Sequence, residues 1–280
     1  MEDDLSAAEG GTLFVVSTPI GNMGDFSFRA VETLRAVSAV LAEDTRHSRH
    51  LMSRYDISTP LVAYHEHNEA KMTPALVARL RGGESLALVT DAGTPLVSDP
   101  GARLVRAAVE AGLRVSPVPG ASALLAALVA SGLEADRFTF FGFLARKGGD
   151  RRDAIEELLA LHHVAVVYEA ANRVADTLAE LARAGAGSRD VVIARELTKQ
   201  FEELRRGTVT ELALYYAERP PRGEVVIVIA GARPVEASEA ELRARATALR
   251  AEGRSARDVA TVLATELGAP RNLAYRLAHE

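Results

Sequence analysis

The chain has 280 residues, 48% hydrophobic and 25% charged, an ordinary globular composition with length enough for two packed domains. It has no cysteine, which excludes disulfides, thiolate metal sites and cysteine nucleophiles. A net charge of -5 excludes a broad basic face for nucleic acid, so any RNA partner must be met by local patches.

No apolar run has the length of a membrane span. Residues 1–10 are acidic, lack the regions of a signal peptide and read as a disordered tail. A cytoplasmic protein with no membrane partner is expected. Residues 12–17 predict the first strand, which ends in a loop holding Pro19, Gly21 and Gly24. Such a loop often meets a cofactor, although the dinucleotide fingerprint is absent. Residues 27–36 carry helical spacing, with Phe28, Val31 and Leu34 on one face. Residues 39–42 form a short strand that runs into Glu43, Asp44, Thr45, Arg46 and His47. Asp44 or Thr45 alone would cap a helix. Acid, base and imidazole crowded at one strand end point further, to a site.

Strand 60–64 ends in His65, Glu66, His67 and Asn68. His65 and His67 share a face of extended chain. No third ligand has recognisable spacing, so no metal is expected; substrate contact or a helix cap is favoured. Helix 70–81 stops at Gly82 and Gly83. Residues 86–89 read as a buried strand before a loop with Asp91, Gly93, Thr94, Ser98 and Asp99, and helix 102–110 follows. In an open α/β sheet, ligands bind beyond the carboxyl ends of strands, although the same residue types also fill ordinary turns. Strand 114–119 meets Gly120, Ala121 and Ser122 and then an apolar helix, 124–131. Small residues there either expose amides to a ligand or permit close packing.

Residues 138–143 hold four of the eight phenylalanines. The basic loop 144–152, with Arg146 and Lys147, suits either phosphate contact or a solvated surface. Strand 163–168 ends at Tyr168 and Glu169, and helix 171–184 follows. Strand 190–194 ends at Ala194 and leads into Arg195, Glu196 and Lys199. Residues 201–206 look extended, 210–217 helical, and 223–230, from Gly223, form the last strand, expected to be central. After a linker at 231–234, helices are predicted over 236–251, 255–267 and 271–279, the second opened by a capping box at Ser255 and Asp258. Between Leu242 and His279 seven arginines face three acids. A helix-turn-helix with that charge suits nucleic acid, and a helical clasp on the core or on a second subunit is the alternative.

Taken in order, Thr18-Pro-Ile-Gly-Asn22, Ala42-Glu-Asp-Thr-Arg-His47, His65 to Glu69, Asp91-Ala-Gly-Thr-Pro95, Asp99-Pro-Gly101, Val118-Pro-Gly120 and Arg195-Glu-Leu-Thr-Lys199 form a specific set. The set resembles the 2′-O-ribose methyltransferases of small-subunit ribosomal RNA, in the tetrapyrrole-methylase superfamily. The resemblance runs from Gly11 through the C-terminal helices. It implies an α/β protein: a tail over 1–10, α/β domains over 11–120 and 121–234 with a cofactor cleft between them, and a small helical domain over 235–280. It also implies S-adenosyl-L-methionine as cofactor, a homodimer, and a cytidine target in the decoding region of 16S ribosomal RNA.

Cofactor contacts carry over to Pro19, Asp91, Gly93, Thr94, Ser98, Ala121, Ser122, Tyr168, Glu169, Ala194 and Gly223. Pro19 and Ile20 stand where small-molecule methylases have a Gly-rich loop, which favours the RNA branch. A 2′-hydroxyl needs a base, and Glu43, Asp44, Glu196 and Lys199 are candidates, lysine only with a depressed pKa. Arg46, Arg195 and Lys199 are alternatively phosphate ligands, and His67, Asn68, Arg146, Lys147, Arg271 and Arg276 are further RNA candidates. A tetrapyrrole methylase and a non-catalytic ribosome-assembly protein are the competing readings.

Overall fold

The structure is a computed structural model that describes residues 10–232, 238–265 and 267–280. The expected tail, apart from Gly10, lies outside those residues, as do residues 233 and 234 of the linker and the expected helix start at residue 236.

The first half alternates strand and helix: β1 (Thr12–Val16), α1 (Phe28–Ala36), β2 (Ala39–Ala42), α2 (Thr45–Arg54), β3 (Leu61–Ala63), α3 (Glu69–Arg81), β4 (Leu86–Val89), α4 (Ala102–Glu110) and β5 (Arg114–Val118). The strands form a parallel sheet in the order β3-β2-β4-β1-β5. All four residues of β2 and of β4 are buried, because helices cover both faces. Ala30, Leu34, Leu51 and Met52 of α1 and α2 pack with Val16, Val40 and Val89. Leu76, Leu80 and Leu104 of α3 and α4 pack on the other face with Leu13, Leu41 and Leu88. Neighbouring strands β1 and β4 therefore send their helices to opposite faces. That divergence opens a crevice at their carboxyl ends.

The second half holds α5 (Ala123–Ser131), β6 (Phe138–Phe143), α6 (Gly149–Ala160), β7 (Val164–Ala170), α7 (Val174–Leu181), β8 (Asp190–Arg195), β9 (Glu203–Thr208), α8 (Val209–Glu218) and β10 (Glu224–Ile229). The sheet order is β6-β7-β10-β8-β9, parallel only between β6 and β7. β10 is central, as its unbroken apolar run requires. Ile155, Leu158, Leu178 and Leu212 of α6, α7 and α8 cover one face with Val167, Ile193 and Ile227. Ala127 and Leu128 of α5 cover the other with Val166, Val192 and Val228. Ile20, from the loop after β1, joins this second cluster beside Leu197.

α9 (Glu239–Ala251), α10 (Ala256–Thr265) and α11 (Arg271–His279) close a separate small core around Leu242, Leu249, Val259, Leu263 and Leu277.

Four expectations need correction. The loop expected over 144–152 is helical from Gly149, because Ile155 and Leu158 supply an apolar stripe onto the second sheet. The helix expected over 171–184 begins as a 3-10 turn and ends in a wide turn, where Gly185 takes φ 107°. The edge strand β9 starts two residues later than the alternation suggested. The excess of arginine among the C-terminal helices is partly offset by acids just outside the window counted. Arg243 and Arg276 both pair with Glu239, and Arg243 also pairs with Glu280.

Candidate functional site

A cleft of about 430 Å³ lies between the two sheets, lined by the loops after β1, β2, β4, β5 and β8 together with the ends of β6 and β7 and with β10. The loops are held in register by paired backbone and hydroxyl contacts. Thr18 and Gly93 exchange both backbone hydrogen bonds, at 2.8 and 3.1 Å. The Ser17 and Thr94 hydroxyls meet at 3.0 Å, and the Thr94 hydroxyl also donates to the Ala121 carbonyl at 3.3 Å. Across the cleft, the Leu124 amide donates to the Tyr168 hydroxyl at 3.1 Å, tying the α5 N-terminus to β7.

Backbone strain is concentrated here. Of five non-glycine residues with positive φ among the described residues, Leu96 and Ser98 lie in the loop after β4, and Glu196 and Thr198 lie in the loop after β8. Such conformations cost about 1–3 kcal/mol each and persist where surrounding structure enforces them. Gly142, at φ 63°, lets a bulge of β6 approach Ser98; an added Cβ would stand 3.2 Å from its hydroxyl.

The cleft's chemistry is acidic. Glu43, Asp91, Asp99, Glu169 and Glu224 line it, with no lysine or arginine. The Thr90 hydroxyl donates to Glu43 at 3.4 Å, and the Asp44 amide donates to Asp91 at 3.2 Å. Burial, then a hydrogen bond from Thr90 that acts the other way, and the charges of Glu43 and Asp91, together push the Asp99 carboxyl up to about 6. Burial and Asp91 also raise Glu43 above the usual carboxylate range.

Of the expected cofactor residues, Asp91, Gly93, Thr94, Ser98, Ser122, Tyr168, Glu169, Ala194 and Gly223 line the cleft. Pro19 does not; its neighbour Ile20 does. Ala121 contributes only the carbonyl that Thr94 uses. The Glu169 carboxylate turns away, accepting from Thr177 and the Ala170 amide and pairing with Arg173 at 3.3 Å. Asp99 also lines the cleft, as expected of the loop after β4, and its rank in the site comes from burial beside two other carboxylates.

Of the expected catalytic residues, Glu43 alone lines the cleft. Asp44 caps α2, accepting from the Arg46 amide at 2.8 Å and pairing with its guanidinium at 2.9 Å. Those contacts hold its pKa down to about 2. Lys199 reaches Glu196 at 2.8 Å and Glu224 at 3.0 Å. Burial lowers its pKa, but the two carboxylates more than reverse that, so it is raised. The depressed value required of a base is not there. Lys199 instead ties the strained loop after β8 to β10, and its stem presses on Gly21, where a Cβ would lie 2.3 Å from Cγ.

The expected RNA residues are dispersed. Asn68 closes its own turn, accepting from the His65 amide and donating to the Ala63 carbonyl. His67 is exposed, its ring 5.9 Å from that of His65. Among the described residues no three histidines, aspartates or glutamates group as a metal would require. Arg195 pairs with Glu203 at 3.2 Å. Arg271 and Arg276 are exposed on α11 of the C-terminal helices, while Arg146 and Lys147 are exposed just beyond β6.

Two sheets of this topology with a ligand cleft where their loops converge define a class, and residues 12–213 match the model of the Tetrapyrrole (Corrin/Porphyrin) Methylases. The chain belongs to that family and is a methyltransferase. It is 44% identical over 273 residues to ribosomal RNA small subunit methyltransferase I of Synechocystis sp., covering 96% of this chain and 98% of that one. It is 46% identical over 275 residues to the protein of that name from Pseudomonas aeruginosa, covering 96% of each. Among solved structures, cobalt precorrin-4 methyltransferase aligns with a TM-score of 0.60 at 19% identity, over 78% of this chain and 94% of that one. Uroporphyrin-III C-methyltransferase from Thermus thermophilus, complexed with S-adenyl homocysteine, gives 0.55 at 20% identity, over 79% and 97%. These two likenesses concern the fold.

Proposed function

We propose that this chain transfers a methyl group from S-adenosylmethionine to the 2′-hydroxyl of a cytidine in the decoding region of 16S ribosomal RNA. The relatives' shared name supplies the substrate class. The observation that carries the donor is the acidic cleft at the strand ends. S-adenosylmethionine bears a sulfonium and an ammonium, and the three carboxylates that face the cleft without a paired cation, Glu43, Asp91 and Asp99, make a field that attracts both. The cleft also offers Ile20, Val97, Leu197 and Tyr168 as apolar walls for a purine. Among the described residues no helix is long and apolar enough to cross a membrane.

When bound, the donor supplies an electrophilic methyl group on a cationic sulfur. The chain's part is alignment, electrostatics and proton removal. Asp91 and Asp99 hold the cationic donor. Gly93, Ser122 and Ala123 form the close backbone wall, and Ile20 and Leu197 exclude water. Glu43, on the rim with a raised pKa, takes the hydroxyl proton. Lys199, Glu196 and Arg195, held in ion pairs with Glu224 and Glu203, brace the loop after β8 that carries Leu197 into the cleft.

A homodimer fits α5, which is apolar all round and leaves Leu125 50% and Val129 77% exposed.

Tritiated S-adenosylmethionine incubated with unmethylated small subunits, free 16S RNA and a porphyrinogen tests the proposal. Label in the RNA ribose is expected; label only in the porphyrinogen would overturn it.

A further inference from the structure

A second groove, of about 580 Å³, opens beside the cleft between the start of α6 and the outer side of α7. Its lining inverts the chemistry of the cleft: six cations face two carboxylates, Asp176 and Glu180, in a chain of net charge -5. Two of the cations build the groove. Arg151 is 7% exposed, pairs with Glu180 at 2.7 Å, and donates to Thr177 and to the Ala145 carbonyl. Arg173 pairs with the buried Glu169 and donates to the carbonyls of Leu144 and Ala145. The loop that leaves β6 is thus clamped by two arginines anchored in the second core.

The other four, Arg146, Lys147, Arg152 and Arg183, are exposed, and their only close acid among the described residues is Asp153, 3.8 Å from Arg152. α6 starts at Gly149 without a side-chain cap, so its first amides face the same space. The groove lies near the cleft, joined to it by the ion pair of Arg173 with Glu169. Phe143 lines the cleft, is 60% exposed and packs edge-on to Tyr168 at 5.5 Å; Arg146 follows three residues later, within ~10 Å of chain.

We propose that this groove seats the phosphate backbone of the RNA strand whose ribose enters the cleft, with Phe143 as the platform on which a neighbouring base stacks. Rigidly mounted arginines, free cations and an exposed aromatic at the mouth are the components of a single-stranded nucleic-acid track. Electrostatics favours the division: the acidic cleft repels phosphate and admits the cationic donor, while the basic groove does the reverse. The assignment rests on the RNA reading above, so its test must be separable from that reading.

RNA binding is measured by anisotropy with a labelled single-stranded decoding-region fragment, without donor, across a salt series. For Lys147→Ala/Arg152→Ala/Arg183→Ala, affinity at low salt should fall at least tenfold. The slope of log affinity against log salt should drop by about 2, as for three lost single-strand phosphate contacts. Donor affinity by calorimetry should not change, which reports an intact fold. Asp176→Lys, a gain that misfolding cannot mimic, should tighten binding about threefold. An unchanged affinity and slope in the triple variant would overturn the proposal. So would loss of binding to assembled subunits with free RNA bound normally, because the groove would then dock ribosomal protein. If the wild-type chain binds the fragment with these dependences but methylates no RNA, the substrate reading fails while the groove stands.

Discussion

Asp99→Asn is the substitution whose consequences can be worked furthest. In the free protein Asp99 shares a small volume with Glu43 and Asp91, and its pKa stands at about 6 against an ordinary 3.8. A carboxyl raised on folding contributes stability that is fully present below its unfolded pKa and is lost as pH rises through the folded value. The window is therefore roughly pH 4 to 6. Two units correspond to about 3 kcal/mol at full value. Asp99 is only partly buried, so solvent screening reduces this to about 1 kcal/mol. At pH 7.5 the donor-free Asn variant should be more stable than wild type by that amount, near 2 °C in melting temperature, with the gap closing by pH 4. Donor binding should move the other way. A cationic donor favours the ionised carboxylate, so wild-type affinity should rise as pH passes 6 and level off. The variant should bind about tenfold more weakly at pH 7.5, and the demethylated thioether product should lose less. Melting curves and calorimetric titrations between pH 4.5 and 8 measure both. Parallel pH profiles for wild type and variant would refute the carboxylate cluster as the origin of donor selectivity.

Gly223→Ala places a Cβ 2.3 Å from Glu196 Oε1 at φ +83°, so it should cost about 1–3 kcal/mol in denaturant unfolding and dislodge the Lys199 bridge. Lys199→Arg should keep at least a tenth of wild-type turnover, because the residue serves as a cation; loss beyond a thousandfold would return it to the role of base. Arg151→Ala removes a nearly buried partner from Glu180, Thr177 and Ala145 and should destabilise the chain by about 3 kcal/mol in the same measurement. Val129→Glu should shift sedimentation from dimer to monomer if α5 forms the subunit contact.

The alternation of short apolar strands with amphipathic helices made the first half legible, because a parallel sheet covered on both faces leaves few other patterns. The last strand was recognisable as central from its unbroken Val and Ile run. α6 escaped because a basic, glycine-bearing start hides an apolar stripe that begins only at Ile155. Chemistry-bearing loops could be named because turns after strands advertise themselves through Gly, Pro and Asp. Direction could not: Glu43 turns into the cleft while Asp44, one residue on, caps a helix, and Glu169 lines the cleft with its backbone but buries its carboxylate. Lys199 stands beside Arg195 in sequence, which suggested a lowered pKa. Packing sets it between Glu196 and Glu224, which raises it. Local periodicity and residue type suffice to mark which segments are strands, which loops are polar and which family they resemble. Which charges are neighbours is settled by folding alone. Contacts between residues far apart in the chain set burial and Coulomb energy, and these sort one acidic loop cluster into donor cleft, helix cap and buried clamp.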